Sequence, residues 1–180
     1  MSLVPTASQT VGPFFNFGLT ADTKLGVLFR DGLEGERIAL RFRVTDGDGK
    51  PTPGDSMIEI WQADSQGRYC DPGFCGFGRS ETDQNGECTF QTIKPGRVAD
   101  VTGNLQAPHV NVLVFARGLL KHLVTRVYFA GDPANAEDSV LALVPEDRRA
   151  TLLAQPAADD KTWLIEIRLQ GDRETVFFDV

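Results

Sequence analysis

Histidine, tyrosine and tryptophan are scarce in this chain, with only two of each among 180 residues. Any imidazole or phenol chemistry therefore has to draw on His109, His122, Tyr69 and Tyr128. Cysteine is too rare for a disulfide scaffold. The three, Cys70, Cys75 and Cys88, are an odd number, which favours free thiols over a paired framework. Cys70 and Cys75 lie too far apart for a zinc knuckle, and no second pair of cysteines or histidines completes a tetrahedral set. A basic surplus is missing as well: Lys and Arg number 18 against 25 Asp and Glu, a formal charge of -7. Without a basic stripe, nucleic acid is an improbable partner class. No apolar run is long enough to span a bilayer. The opening Met1-Ser2-Leu3-Val4-Pro5-Thr6 lacks the charged and apolar regions of a secretory signal, so the expected location is the cytoplasm.

What the chain has in quantity is short alternating runs between turn residues. Ile38, Leu40, Phe42 and Val44 alternate with Arg37, Ala39, Arg41 and Arg43, the period of a strand with one buried and one wet face. An Asp/Gly-rich turn over 46–51 follows. The same grammar recurs over 57–61, 88–93, 109–115, 122–129, 163–169 and 175–178. Such a succession predicts an all-β fold, a two-sheet β-sandwich forming a single domain over 1–180. Short surface helices are expected over 136–143 and, after Pro145, over 146–153. Residues 1–34 contain Gly12-Pro13-Phe14-Phe15 and read as an irregular segment that docks on another surface.

Several strings are specific in combination. They are Ser8-Gln9-Thr10-Val11-Gly12-Pro13-Phe14, Glu59-Ile60-Trp61-Gln62-Ala63-Asp64 leading to Gly67-Arg68-Tyr69, and Thr92-Ile93-Lys94-Pro95-Gly96. Ala107-Pro108-His109-Val110-Asn111, Phe115-Ala116-Arg117-Gly118, Thr125-Arg126-Val127-Tyr128-Phe129 and Gly171-Asp172-Arg173-Glu174-Thr175-Val176-Phe177-Phe178-Asp179 continue them. In order and spacing the chain resembles the protocatechuate 3,4-dioxygenase family, whose members cleave an aromatic ring between two hydroxyl-bearing carbons. The resemblance implies two homologous chains, α and β, with the site at their interface. It also implies Fe(III) held in the catalytic chain by two tyrosines and an His-x-His pair.

Carried over motif by motif, the four ligand positions fall on Tyr69, Val98, His109 and Asn111. One phenolate and one imidazole are missing. Valine has no donor atom and an amide is a poor substitute for imidazole, so these positions are expected to be vestigial. An arginine that precedes the histidine pair in the catalytic chain aligns with Gln106. The resemblance therefore implies an α-type subunit whose homologous β partner binds the iron. The pair would use O2 to convert protocatechuate to 3-carboxy-cis,cis-muconate in the β-ketoadipate route of aromatic catabolism.

The family's α chain lines the substrate pocket with its N-terminal segment, which points to Thr10, Gly12 and Pro13. Glycine admits a flat ring close to the backbone, and proline supplies a rigid apolar wall. Arg117, at a strand end, is the candidate cation for the substrate carboxylate, since its fork of donors suits a carboxylate. Two rival readings stand beside this one. His109, His122, Tyr69 and Tyr128 would together supply a self-contained iron site, or the domain would be a binding module without enzymatic activity.

Overall fold

The computed structural model describes residues 10, 12, 17–47, 49–51, 56–69 and 73–179. Among these residues eight strands form: β1 Arg37–Thr45, β2 Ser56–Gln62, β3 Phe77–Glu81, β4 Glu87–Ile93, β5 His109–Ala116, β6 Leu123–Phe129, β7 Leu153–Pro156 and β8 Thr162–Arg168. Where two separate sheets were expected, the ladders run unbroken through all eight strands in the order β3-β2-β5-β6-β7-β8-β1-β4. The short β7 makes this continuity. Two of its residues pair in parallel with β6 and two pair antiparallel with β8, joining what would otherwise be separate halves. The sheet's edges, β3 and β4, are consecutive in sequence. The turn between them holds the edges near one another, with Asp83 accepting from the backbone N–H groups of Asn85 and Glu87 at 2.8 and 2.9 Å.

The core follows from the alternation. Ile38, Leu40, Phe42 and Val44 of β1 point inward beside Phe90 of β4 and Trp163, Ile165 and Ile167 of β8. Ile58 and Ile60 of β2, Val110, Val112 and Val114 of β5, and Val127 and Phe129 of β6 complete the same cluster. Each fully buried Leu, Ile or Phe contributes about 1.5–3 kcal/mol of transfer free energy, so this cluster is the main source of stability.

A second, smaller cluster covers the outer face at one end of β6. It contains Ala107, Tyr128, Ala134, Leu141, Val144 and Leu152, and it is roofed by the connection from β6 to β7. That connection was expected to hold helices over 136–143 and 146–153. It instead contains 3-10 turns at Pro133–Glu137, Leu141–Leu143 and Ala150–Leu152 and one short α-helix, Glu146–Arg149, with Pro145 as its N-cap. The first expected helix is interrupted at Asp138, which is only 1% exposed. Its carboxylate takes the N–H groups of Val140 and Leu141 at 3.0 and 2.7 Å, a local alternative to the helical ladder. Residues 175–178 contribute a single bridge, Val124 to Phe178, rather than a strand.

Candidate functional site

One end of the β5–β6 ladder gathers most of the candidate ligand positions on its outer face. His109 stands opposite Tyr128, and Asn111 stands opposite both Arg126 on β6 and Trp61 on β2. Residues facing each other across an antiparallel ladder project to the same side. The five side chains therefore form one patch, while Val110 and Val127 between them point into the core.

Tyr69 reaches this patch from the loop after β2. Asp64 shapes that loop, accepting from the backbone N–H of Gln66 at 2.9 Å and of Arg68 at 2.8 Å, and from Arg68 Nε at 2.9 Å. Gly67, at φ +78°, presses its α-carbon against the Arg97 carbonyl, leaving no room for a side chain. Gly96 donates its N–H to the Asp64 carbonyl at 2.8 Å. The two glycines let the 64–69 and 94–98 loops lie backbone to backbone, which sets Val98 against Gly67, two residues before Tyr69.

The Tyr69 ring lies flat on Trp61, with centroids 6.0 Å apart and planes 7° from parallel. Its hydroxyl oxygen accepts from Asn111 Nδ2 at 3.0 Å, and the same Nδ2 donates to the Trp61 carbonyl at 3.3 Å. Burial raises the phenol's pKa above its ordinary value, against the opposing pull of the Asn111 hydrogen bond and the Arg126 charge. At neutral pH the phenol is protonated.

His109 is 2% exposed, and its Nδ1 lies 2.8 Å from the Ala107 carbonyl. A carbonyl only accepts, so the ring proton resides on Nδ1. Burial lowers the imidazole's pKa, the Arg126 charge lowers it further, and the Ala107 bond and Asp138 oppose both. Tyr128 donates its hydroxyl to Asp138 Oδ1 at 3.0 Å, and burial is the main cause of its raised pKa. The other Asp138 oxygen accepts from the Ala107 N–H at 2.8 Å, tying the entrance of β5 to the roof.

Among the four ligand positions stands a cation. Arg126 Nη1 donates to Gln106 Oε1 at 3.2 Å, and its charge acts on Tyr69, His109 and Tyr128 alike. Gln106 in turn donates its backbone N–H to the Val98 carbonyl at 2.8 Å. A ferric ion requires anionic oxygen and free imidazole facing a common point. Here Val98 is aliphatic and Asn111 is an amide engaged as a donor, so only Tyr69 and His109 keep side chains of the kind that bind ferric iron. The set does not fit iron. Among the described residues, no three His, Cys, Asp or Glu side chains come together in a metal-binding group.

His122 does not join this patch. It is exposed and packs on Phe115, ring centroids 5.4 Å apart, beyond the rung where Val114 meets Leu123. The run of β5 between the His109 and Val114 rungs spans about 17 Å of extended strand, so the two histidines cannot share an ion. The set of two histidines and two tyrosines is thereby ruled out as one metal site.

At that same far end, Arg117 begins the β5–β6 turn and the N–H of Gly118 donates to Thr10 Oγ1 at 2.8 Å. Thr10 and Arg117, 107 residues apart in sequence, thus meet at one turn. Gly12 has open space where a side chain would stand. Pro13 lies outside the described residues. Strand geometry separates Arg117 from His109 by about 25 Å.

The family model described as Dioxygenase matches residues 10–171. A Burkholderia cepacia protocatechuate 3,4-dioxygenase alpha chain is 42% identical over 99% of both chains. The chain belongs to the intradiol dioxygenase family. The Pseudomonas putida protocatechuate 3,4-dioxygenase alpha chain is likewise 42% identical, over 99% of this chain and 98% of its own. The beta chain of the Burkholderia enzyme is 37% identical over 69% of this chain and 58% of its own length. Among solved structures, a dioxygenase domain from Streptomyces sp. SirexAA-E superposes with a TM-score of 0.65 at 26% identity, covering 93% of this chain and 99% of that one.

Within this intradiol frame, sequence reasoning named candidate ligand positions but assigned no role to Arg126 or Asp138. Arg126 had a legible signal. It shares the outward register of Tyr128 two residues on, in a strand facing the His109-Val110-Asn111 strand. Asp138 had none, because its burial depends on how the β6–β7 connection folds back.

Proposed function

We propose that this chain is the α-type subunit of a cytoplasmic protocatechuate 3,4-dioxygenase, and that it completes the active site of a homologous β chain without holding iron. The observation that carries this reading is the character of the ligand positions: Tyr69, Val98, His109 and Asn111 cannot serve as an iron set, in a chain that matches α chains over its full length. Similarity to a β chain fits descent of both partners from one duplicated ancestor. The Fe(III) is the partner's. In the overall reaction, O2 adds across the bond between the two hydroxyl-bearing carbons of protocatechuate. Both oxygen atoms remain in the product diacid, 3-carboxy-cis,cis-muconate.

This chain's part is binding and orientation. The segment over 1–34 docks on the partner, Thr10 anchors it to the turn at Gly118, and Gly12 and Pro13 line the pocket wall beside the substrate ring. Arg117, on that same turn, attracts and orients the substrate carboxylate, which an acidic protein of net charge -7 otherwise repels. The exposed Cys75 and buried Cys88 are free thiols, as suits a reducing compartment.

Co-expression with the partner tests the assignment. About one iron per αβ pair and ring cleavage are expected, with Arg117→Ala raising KM roughly tenfold, the effect of about 1.4 kcal/mol of lost charge-assisted binding. Gly12→Val lowers kcat/KM by narrowing the wall. Unchanged KM and turnover in both variants would remove the pocket assignment, and stoichiometric iron in this chain alone would remove the division of labour.

A further inference from the structure

The residues at Val98 and Asn111 make a poor iron set, but they leave open what takes up the space and the charge. We propose that Arg126 is a built-in replacement for the metal, a fixed cation that holds the vestigial group together and bars a metal cation from it, independently of the losses at Val98 and Asn111. The inference rests on the non-iron reading above and adds a second barrier to it.

Three observations carry it. Arg126 is the direct β6 partner of Asn111 and lies one rung-pair from the His109–Tyr128 rung, so its side chain leaves the sheet within the patch itself. Its Nη1 is bonded to Gln106, which is tied through its backbone to Val98, so the guanidinium is linked to the fourth ligand position. Asn111, its rung partner, donates Nδ2 to the Tyr69 hydroxyl oxygen at 3.0 Å, so the phenol is held beside the same rung. A guanidinium offers donors only and does not lose its proton, so it satisfies acceptors around it as a metal would while repelling any incoming cation.

The test restores the ligands with and without the arginine. In the full chain, Val98→Tyr with Asn111→His supplies two tyrosines and an His-x-His pair, and a third variant adds Arg126→Gln. Each is incubated with ferrous iron in air and desalted. Iron per chain is then measured by elemental analysis, together with the visible tyrosinate-to-iron absorption. The expected result is little iron in the double variant and roughly tenfold more in the triple, approaching about one per chain. Arg126→Lys in place of Arg126→Gln keeps the charge and returns iron uptake to the level of the double.

Equal uptake by double and triple variants overturns the proposal, and so does absence of iron from both, since removing the cation then fails to open the site. Cooperative thermal unfolding is recorded for each protein, and Arg126→Met replaces Arg126→Gln if the latter does not fold. The unmodified chain separates the two ideas. Iron there defeats the subunit reading, whereas an iron-free unmodified chain with an unresponsive triple defeats only the role of Arg126.

Discussion

Replacing Asp138 is the most demanding test of how the site end of the sheet is held. Its Oδ1 accepts from the Tyr128 hydroxyl and from the backbone N–H groups of Val140 and Leu141, and its Oδ2 accepts from the Ala107 N–H. Asp138→Ala leaves four donors without their acceptor, three of them buried, a loss of about 4 kcal/mol. Asp138→Asn keeps one carbonyl oxygen for three donors but turns an NH2 group against Ala107, costing about 2 kcal/mol. Tyr128→Phe removes one donor and costs about 1 kcal/mol. Equilibrium urea unfolding measures each, and Asp138→Ala should lower Tm by roughly 10 °C in a domain of this size. The decisive quantity is the coupling. Once Asp138 is alanine, the phenol hydroxyl has lost its acceptor and deleting it should cost less than in the parent, so the double variant falls short of the sum by up to about 1 kcal/mol. Additive losses, or an Asp138→Asn variant as stable as the parent, would refute the account of Asp138 as a shared buried acceptor.

Three further outcomes follow from the same geometry. His109 has a folded-state pKa below its ordinary 6.5, so the stability tied to its neutral form is complete above that pH and is lost as pH falls through the lowered value; by urea unfolding, the stability difference between the parent and His109→Gln should be constant above that pH and change only on the acid side. Burial pushes the Cys88 thiol up to about 12, so in a Cys70→Ser background alkylation at pH 8 should label Cys75 in the folded protein and reach Cys88 only after denaturation. Gly67→Ala should destabilise by at least about 2 kcal/mol, since it adds a methyl against the Arg97 carbonyl and imposes a left-handed residue, and a Tm unchanged within a degree would contradict the packed-loop geometry.

Much of the fold was legible because period-2 alternation reports burial directly. β1, with Ile38, Leu40, Phe42 and Val44 inward, matches the expected strand almost to its ends. Two strands were missed for physical reasons. β3, Phe77-Gly78-Arg79-Ser80-Glu81, has no apolar alternation and owes its extended form to its ladder with β2. β7 covers only four residues and begins where an amphipathic pattern had suggested a helix. That one omission also hid the continuity of the sheet, since β7 is the link between its halves. At the site, the resemblance singled out Tyr69, Val98, His109 and Asn111, and residue identity alone shows that valine and asparagine are poor donors for iron. The neighbourhood of those residues was not legible. That Asn111 bonds Tyr69, or that Arg126 stands among them, depends on cross-strand register, and a one-residue slip would have turned both side chains into the core.

The length of β5 has a consequence for how such a chain can change. His109 and Asn111 occupy one end and the Arg117 turn, with Thr10 upon it, lies beyond the other, a separation at which substitutions sum without cross-talk. On the proposed descent from a duplicated ancestor, the end that carries Tyr69, His109 and Asn111 accepts changes singly, with no simultaneous adjustment demanded at the distant turn. A shorter strand would have forced both ends to be rebuilt together.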